Sequence, residues 1–150
     1  MKHKGYIDII QTQKIVAQLF ANPDYLKEYQ DGFIRKELVS GIAGEKGTIS
    51  NMYYKHGKHE MKLIETITKN ELPNTFEASF HHIDMDNTMK CNFIVLDENT
   101  TRYEYEYEYT RINWVMPKLI AILFPSLYRK PAEKWLKQFK TFAENYQKVD

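Results

Sequence analysis

Arg102-Tyr103-Glu104-Tyr105-Glu106-Tyr107-Glu108-Tyr109 alternates without a fault over its whole length. In an extended strand successive side chains point to opposite faces. The tyrosines then share one face, and the arginine and glutamates the other. A helix would spread both kinds around its surface. The segment reads as a two-faced β-strand with one aromatic side. Its tyrosine hydroxyls sharpen the question of what lies beneath, because buried polar groups need partners. A solid core supplies such partners poorly. Water, the polar end of a bound molecule or an open mouth would each supply them.

Working outward, the chain before this strand shows the same period. Residues 75–83 and 88–96 read as strands around a turn at 84–87, and Asp97-Glu98-Asn99 turns into the tyrosine strand. Gly57-Lys58 is a two-residue hairpin connection with glycine first, joining strands at 48–55 and 59–69. Residues 33–41 form another strand, closed by a turn carrying Gly41, Gly44 and Gly47. Lys46 in that turn is followed by glycine and a strand, not by Ser/Thr and a helix, so it is no phosphate loop. Residues 4–10 make a first strand. Thr12 then caps a helix over 13–21, and Asn22-Pro23-Asp24 breaks it and starts another over 23–31, ended by Gly32. At the far end Trp135, Leu136, Phe139, Phe142, Ala143 and Tyr146 make one helical stripe. Pro117, Pro125 and Pro131 are expected to segment the apolar stretch leading into it. Hairpin-linked strands with helices on one side define an α+β domain spanning 1–150, an antiparallel sheet curled around a long C-terminal helix.

Composition narrows the function classes. Hydrophobic residues are 43%, charged residues 27% and aromatics 14%, with a formal net charge of +1. No global field draws the chain to nucleic acid or anionic membrane. The single cysteine, Cys91, cannot form an internal disulfide and fits a reducing compartment. The opening Met1-Lys2-His3-Lys4-Gly5-Tyr6-Ile7-Asp8 lacks the apolar run of a secretory signal. Residues 114–128 are too short and too broken by Pro117, Lys118 and Pro125 to span a bilayer. A cytoplasmic protein without stable membrane insertion is expected.

The helix–break–helix at Phe20–Leu26, the Gly41/Gly44/Gly47 turn, the Asn99–Tyr103 strand entry and the Lys130–Leu136 stretch together resemble the START, birch-pollen-allergen-like and polyketide-cyclase superfamily, often called SRPBCC. Phe20-Ala21-Asn22-Pro23-Asp24-Tyr25-Leu26 resembles that family's helix–break–helix after strand one. Gly41 with Gly44-Glu45-Lys46-Gly47-Thr48 resembles its Gly-x-Gly-x-x-Gly-Thr turn, with one extra residue between the first two glycines. Asn99-Thr100-Thr101-Arg102-Tyr103 resembles its approach to an alternating strand, and Lys130-Pro131-Ala132-Glu133-Lys134-Trp135-Leu136 the end of its gripped helix. The resemblance covers nearly the whole chain. It implies a helix-grip fold, with seven strands, two short helices after strand one and an internal cavity between sheet and long helix. It does not choose among lipid carriers, receptors and cyclases.

The chemistry-bearing residues point mostly to structure. His56 and His59 flank the hairpin turn, and Glu60, the one carboxylate beside them, points away. His81 and His82 face opposite sides of a strand, and His3 stands alone. No three of these converge as zinc requires, so neither metal nor cofactor is expected. Cys91 sits mid-strand with no activating partner. Glu65 is a weak catalytic candidate. It faces inward if Met61, Leu63 and Ile67 do and outward if Ile64 faces inward, and a surface position is the favoured reading. The candidate cavity wall comprises Tyr103, Tyr105, Tyr107, Tyr109, Phe76, Phe80, His82, Met89 and Phe93, extended by Met52 and Tyr54. Leu119 and Leu123 would close it from the helix side.

Three readings stand side by side. The leading one is a non-enzymatic protein, monomer or homodimer, that holds a small hydrophobic or amphipathic ligand, lipid-like or aromatic, inside the sheet. The second is a polyketide cyclase/dehydratase-like enzyme working through polar cavity residues. The third is an interaction module with a filled core.

Overall fold

The computed structural model of the chain describes residues 2–113 and 126–147. In chain order these form β1 (Lys2–Ile9), α1 (Gln13–Ala21), a 3-10 turn (Pro23–Tyr25), α2 (Leu26–Tyr29), β2 (Phe33–Ser40), β3 (Ile49–His56), β4 (His59–Glu71), β5 (Thr75–His81), β6 (Met85–Asp97), β7 (Thr100–Ile112) and α3 (Ser126–Asn145). The strands make one seven-stranded sheet in the order β1-β7-β6-β5-β4-β3-β2. Every neighbouring pair is antiparallel. β1 and β2 are the edges, and the short helices connect one edge to the other. The fold is the α+β helix grip.

Local chemistry explains most boundaries. The Thr12 hydroxyl accepts the Ile15 N–H at 3.4 Å and caps α1. The Asn22 side chain accepts the Asp24 N–H at 2.9 Å, ending α1 and opening the 3-10 turn with Pro23 at its start. The single helix expected over 23–31 is therefore this turn plus the four residues of α2. β6 begins at Met85, although Asp84–Asn87 reads as a turn. His82 and Met85 close a tighter turn by backbone pairing. Asp86 is then held inside the strand by the Arg111 guanidinium of β7 at 2.7 and 3.2 Å. α3 starts directly after Pro125 and runs through Pro131. Pro131, the sixth residue of this helix, cannot donate to the Leu127 carbonyl four residues earlier, so one bond of the ladder is missing near its N-terminal end.

Packing is one-sided. Leu136, Phe139 and Ala143 form the buried stripe of α3, and Val16, Ala17 and Leu19 that of α1. Both meet Ile9, Phe76, Cys91, Phe93 and Tyr103 of the sheet in one cluster. Each such large side chain contributes about 1.5–3 kcal/mol on full burial. The outer face of β7 is charged. Glu106 pairs with Lys2 at 3.1 Å and Lys4 at 3.4 Å, and Arg102 with Asp8 at 2.8 Å. Exposed pairs of this kind add little stability and keep that face in water.

Candidate functional site

Register aligns the inner face into rows. Tyr103 stands opposite Ile7 and Phe93, Tyr105 opposite Gly5 and Cys91, Tyr107 opposite His3 and Met89, and Tyr109 opposite Asn87. Phe76 continues the Cys91 row and Phe80 the Asn87 row onto β5, and Glu65 stands opposite Phe80 on β4. All four tyrosines do look toward the helix side of the sheet, but they meet different surroundings.

Tyr103 is packed solid. Its ring lies edge-on to Phe93 at 4.9 Å, Phe139 at 5.8 Å and Phe20 at 6.1 Å. Phe20 of α1 also contacts Phe76 at 5.2 Å and Phe93 at 5.3 Å. Tyr103, Phe76 and Phe93, expected as cavity wall, are fully enclosed by these rings. Tyr105, Tyr107, Tyr109, Met89 and Phe80 are only partly buried. The Tyr105 phenol folds over Gly5, where a Cβ would collide with its hydroxyl oxygen. Tyr109 meets His3 edge-on at 6.4 Å.

The hydroxyl problem has a partial internal solution. The Tyr103 phenol interacts with the Cys91 thiol and the Tyr107 phenol. Burial, ahead of the Cys91 charge nearby, raises both tyrosines well above the usual phenol range. Burial likewise pushes the Cys91 thiol up to about 12, so it carries no thiolate at neutral pH and is an inert core group.

The β3 side of the wall is equally specific. Met52 and Tyr54 are buried. Tyr54 stacks on Trp135 of α3 at 5.7 Å and donates its hydroxyl to Gln30 Oε1 at 2.8 Å. Glu65 does not lie on the surface. It is 6% exposed and points inward with Ile67. Ile64 on the opposite face is apolar as well, and this is why alternation read from the sequence leaves the face of Glu65 open. Its partner is Lys36 of β2, whose Nζ donates to Glu65 Oε1 at 2.8 Å. Lys36 also lines a surface depression with Pro23, Asp24, Lys27, Phe33 and Arg35. His82 sits one residue beyond β5, in the turn, where its ring accepts the Asp84 N–H at 3.1 Å. Leu119 and Leu123 lie outside the described residues. Among the described residues no three His, Cys, Asp or Glu side chains converge as a metal site. No helix among them is long and apolar enough to cross a membrane.

Lys36, Gln30, Gly5 and Trp135 are the residues that sequence reasoning missed. Lys36 lies between Arg35 and Glu37 in a strand whose charged residues nothing local orients. Its pairing opposite Met52, a residue already expected to face inward, is the signal that finds it.

No protein-family model and no curated protein matches the sequence. Solved structures match across nearly the whole chain. TTHA0849 from Thermus thermophilus superposes with a TM-score of 0.73 at 17% identity, over 94% of this chain and 95% of that one. The Zhui aromatase/cyclase from Streptomyces gives 0.77 at 8% identity, over 96% and 93%. Norcoclaurine synthase from Thalictrum flavum, solved in complex with dopamine and hydroxybenzaldehyde, gives 0.69 at 11% identity, over 99% and 89%. Identities this low establish a shared fold.

Proposed function

We propose that this chain, which has the helix-grip fold of the START, birch-pollen-allergen-like and polyketide-cyclase superfamily, binds a small apolar or amphipathic molecule between its sheet and its C-terminal helix region. The observation that carries the reading is the change along β7. Tyr103 is sealed by Phe20, Phe93 and Phe139, while Tyr105, Tyr107 and Tyr109 face the same way and remain partly exposed. An aromatic wall with a few polar tips is the usual lining of a small-molecule site. That a norcoclaurine synthase of this fold was solved with two small aromatic molecules supports the same reading.

The test is fluorescence titration with the amphipathic dye 1-anilinonaphthalene-8-sulfonate. Tyr105→Leu and Tyr107→Leu are each expected to change its Kd by about three-fold or more. Their melting midpoints should move by less than about 3 °C, the shift that ~1 kcal/mol produces in a domain of this size. Unchanged binding in both variants removes these residues from the site.

The part-buried Lys36–Glu65 pair favours a second reading, an enzyme of the cyclase kind using that pair for proton transfer. Loss of turnover in Glu65→Gln with dye binding retained would support it.

A further inference from the structure

One charged pair stands on the inner wall where apolar and phenolic groups surround it. The Lys36 and Glu65 side chains are 23% and 8% exposed. They come from β2 and β4 and meet across β3, where Met52 stands opposite Lys36 and Ser50 opposite Glu65. Ser50 is buried, and its short side chain leaves room for the two longer ones to join above it. Phe80 lies opposite Glu65 on the other side. The Tyr54 and Tyr29 hydroxyls are both close enough to feel the Glu65 charge.

A buried ion pair gains the fold little over apolar residues of the same size, because both charges leave water to form it. Its unused capacity is chemical. An ammonium has three N–H donors and a carboxylate two acceptor oxygens. The contact between them engages one N–H and one oxygen. A group arriving beside the pair meets a donor and an acceptor together, with the two charges cancelling. A carboxylate is drawn by Lys36 and repelled by Glu65, and an ammonium meets the reverse. A hydroxyl accepts from Lys36 and donates to Glu65, and so satisfies both without breaking the pair.

We propose that Lys36 and Glu65 form the polar anchor of the interior site and select ligands whose buried end is a neutral hydroxyl. The carboxylate, ammonium or unsubstituted analogue of the same skeleton binds less well. The proposal rests on the interior-binding reading above and adds the class of ligand.

Four probes of one skeleton test it on the full chain at pH 7: naphthalene, 2-naphthol, 2-naphthoate and 2-naphthylmethylammonium, each followed by displacement of the fluorescent dye. 2-Naphthol is expected to bind about ten-fold tighter than the other three, since a site built for a hydroxyl leaves polar groups unpaired around an analogue lacking it. In Lys36→Met/Glu65→Leu the preference should fall below about two-fold while naphthalene still binds. Lys36→Met alone should move the ammonium probe up the ranking, and Glu65→Leu alone the carboxylate. Should the double variant not fold, the wild-type ranking and the two single variants decide. A wild type without preference for 2-naphthol overturns the anchor, as does a preference that survives in the double variant or single variants that leave the charged probes in place. In each of those cases interior binding still stands. Failure of the wild type to bind any of the four probes overturns the interior reading itself.

Discussion

The two ends of the β7 tyrosine row have the same sequence pattern and opposite packing. At the Tyr103 end, rings from α1 and α3 close over the sheet, and Phe93 and Phe139 are each 2% exposed. At the Tyr107–Tyr109 end the facing residues on β6 are Met89 and Asn87, neither of them fully buried. Period two orients a side chain but does not say what it will touch. That is set by how far Phe20 and Phe139 reach along the row.

The largest test of this contrast uses one strand. Phe93→Ala is expected to destabilise the fold by about 3–5 kcal/mol, because it empties a closed cluster, whereas Met89→Ala, two rows along, should cost less than about 2 kcal/mol. Urea unfolding of both variants measures the difference, and equal losses would erase the distinction between the ends. A mid-sized test lies at the boundary. Gly5→Ala places a methyl against the Tyr105 phenol and should cost about 1–2 kcal/mol. The Gly5→Ala/Tyr105→Leu double variant should recover most of that loss, and a thermal-melt double-mutant cycle reads the coupling. The smallest effect belongs to the hairpin beyond the open end. Arg111, and after it His81, hold the Asp86 carboxyl down at about 2. A lowered carboxyl contributes stability that is fully present above the unfolded value near 3.8 and is lost as pH falls through about 2. The pair is near the surface, so the contribution is about 1 kcal/mol or less. Asp86→Asn should therefore flatten the acid limb between pH 4 and pH 2 in proportion, measured by urea midpoint against pH.

What was legible in the sequence was whatever local chemistry decides. The α1 boundaries follow from Thr12 and Asn22-Pro23, the β3–β4 turn from Gly57-Lys58, and the face of β7 from unbroken alternation. What was not legible depends on partners distant in the chain. Asp86 looks like a turn residue until Arg111 claims it. Glu65 has no readable face while Ile64 and the row of Met61, Leu63 and Ile67 are all apolar, and its partner Lys36 lies on β2, two strands away in the sheet. The candidate wall drew all four tyrosines from one face of β7. It did not separate Tyr103, Phe76 and Phe93 from the rest, because nothing near them in sequence announces that Phe20 covers them.

The bond between Lys36 and Glu65 also bears on how the edge strand finds its place. Leu38 and Val39 are consecutive, apolar and 55% and 56% exposed, so hydrophobicity does not tell β2 which side to turn inward. A slip of one residue in one direction would set Glu37 opposite Met52 and aim a second carboxylate at Glu65. A slip in the other would bring Arg35 inward and strip it from the Tyr53 ring, over which it now lies at 3.9 Å. Charge thus proofreads an alignment that oiliness leaves ambiguous, and it does so from β4, one strand beyond the one β2 pairs with.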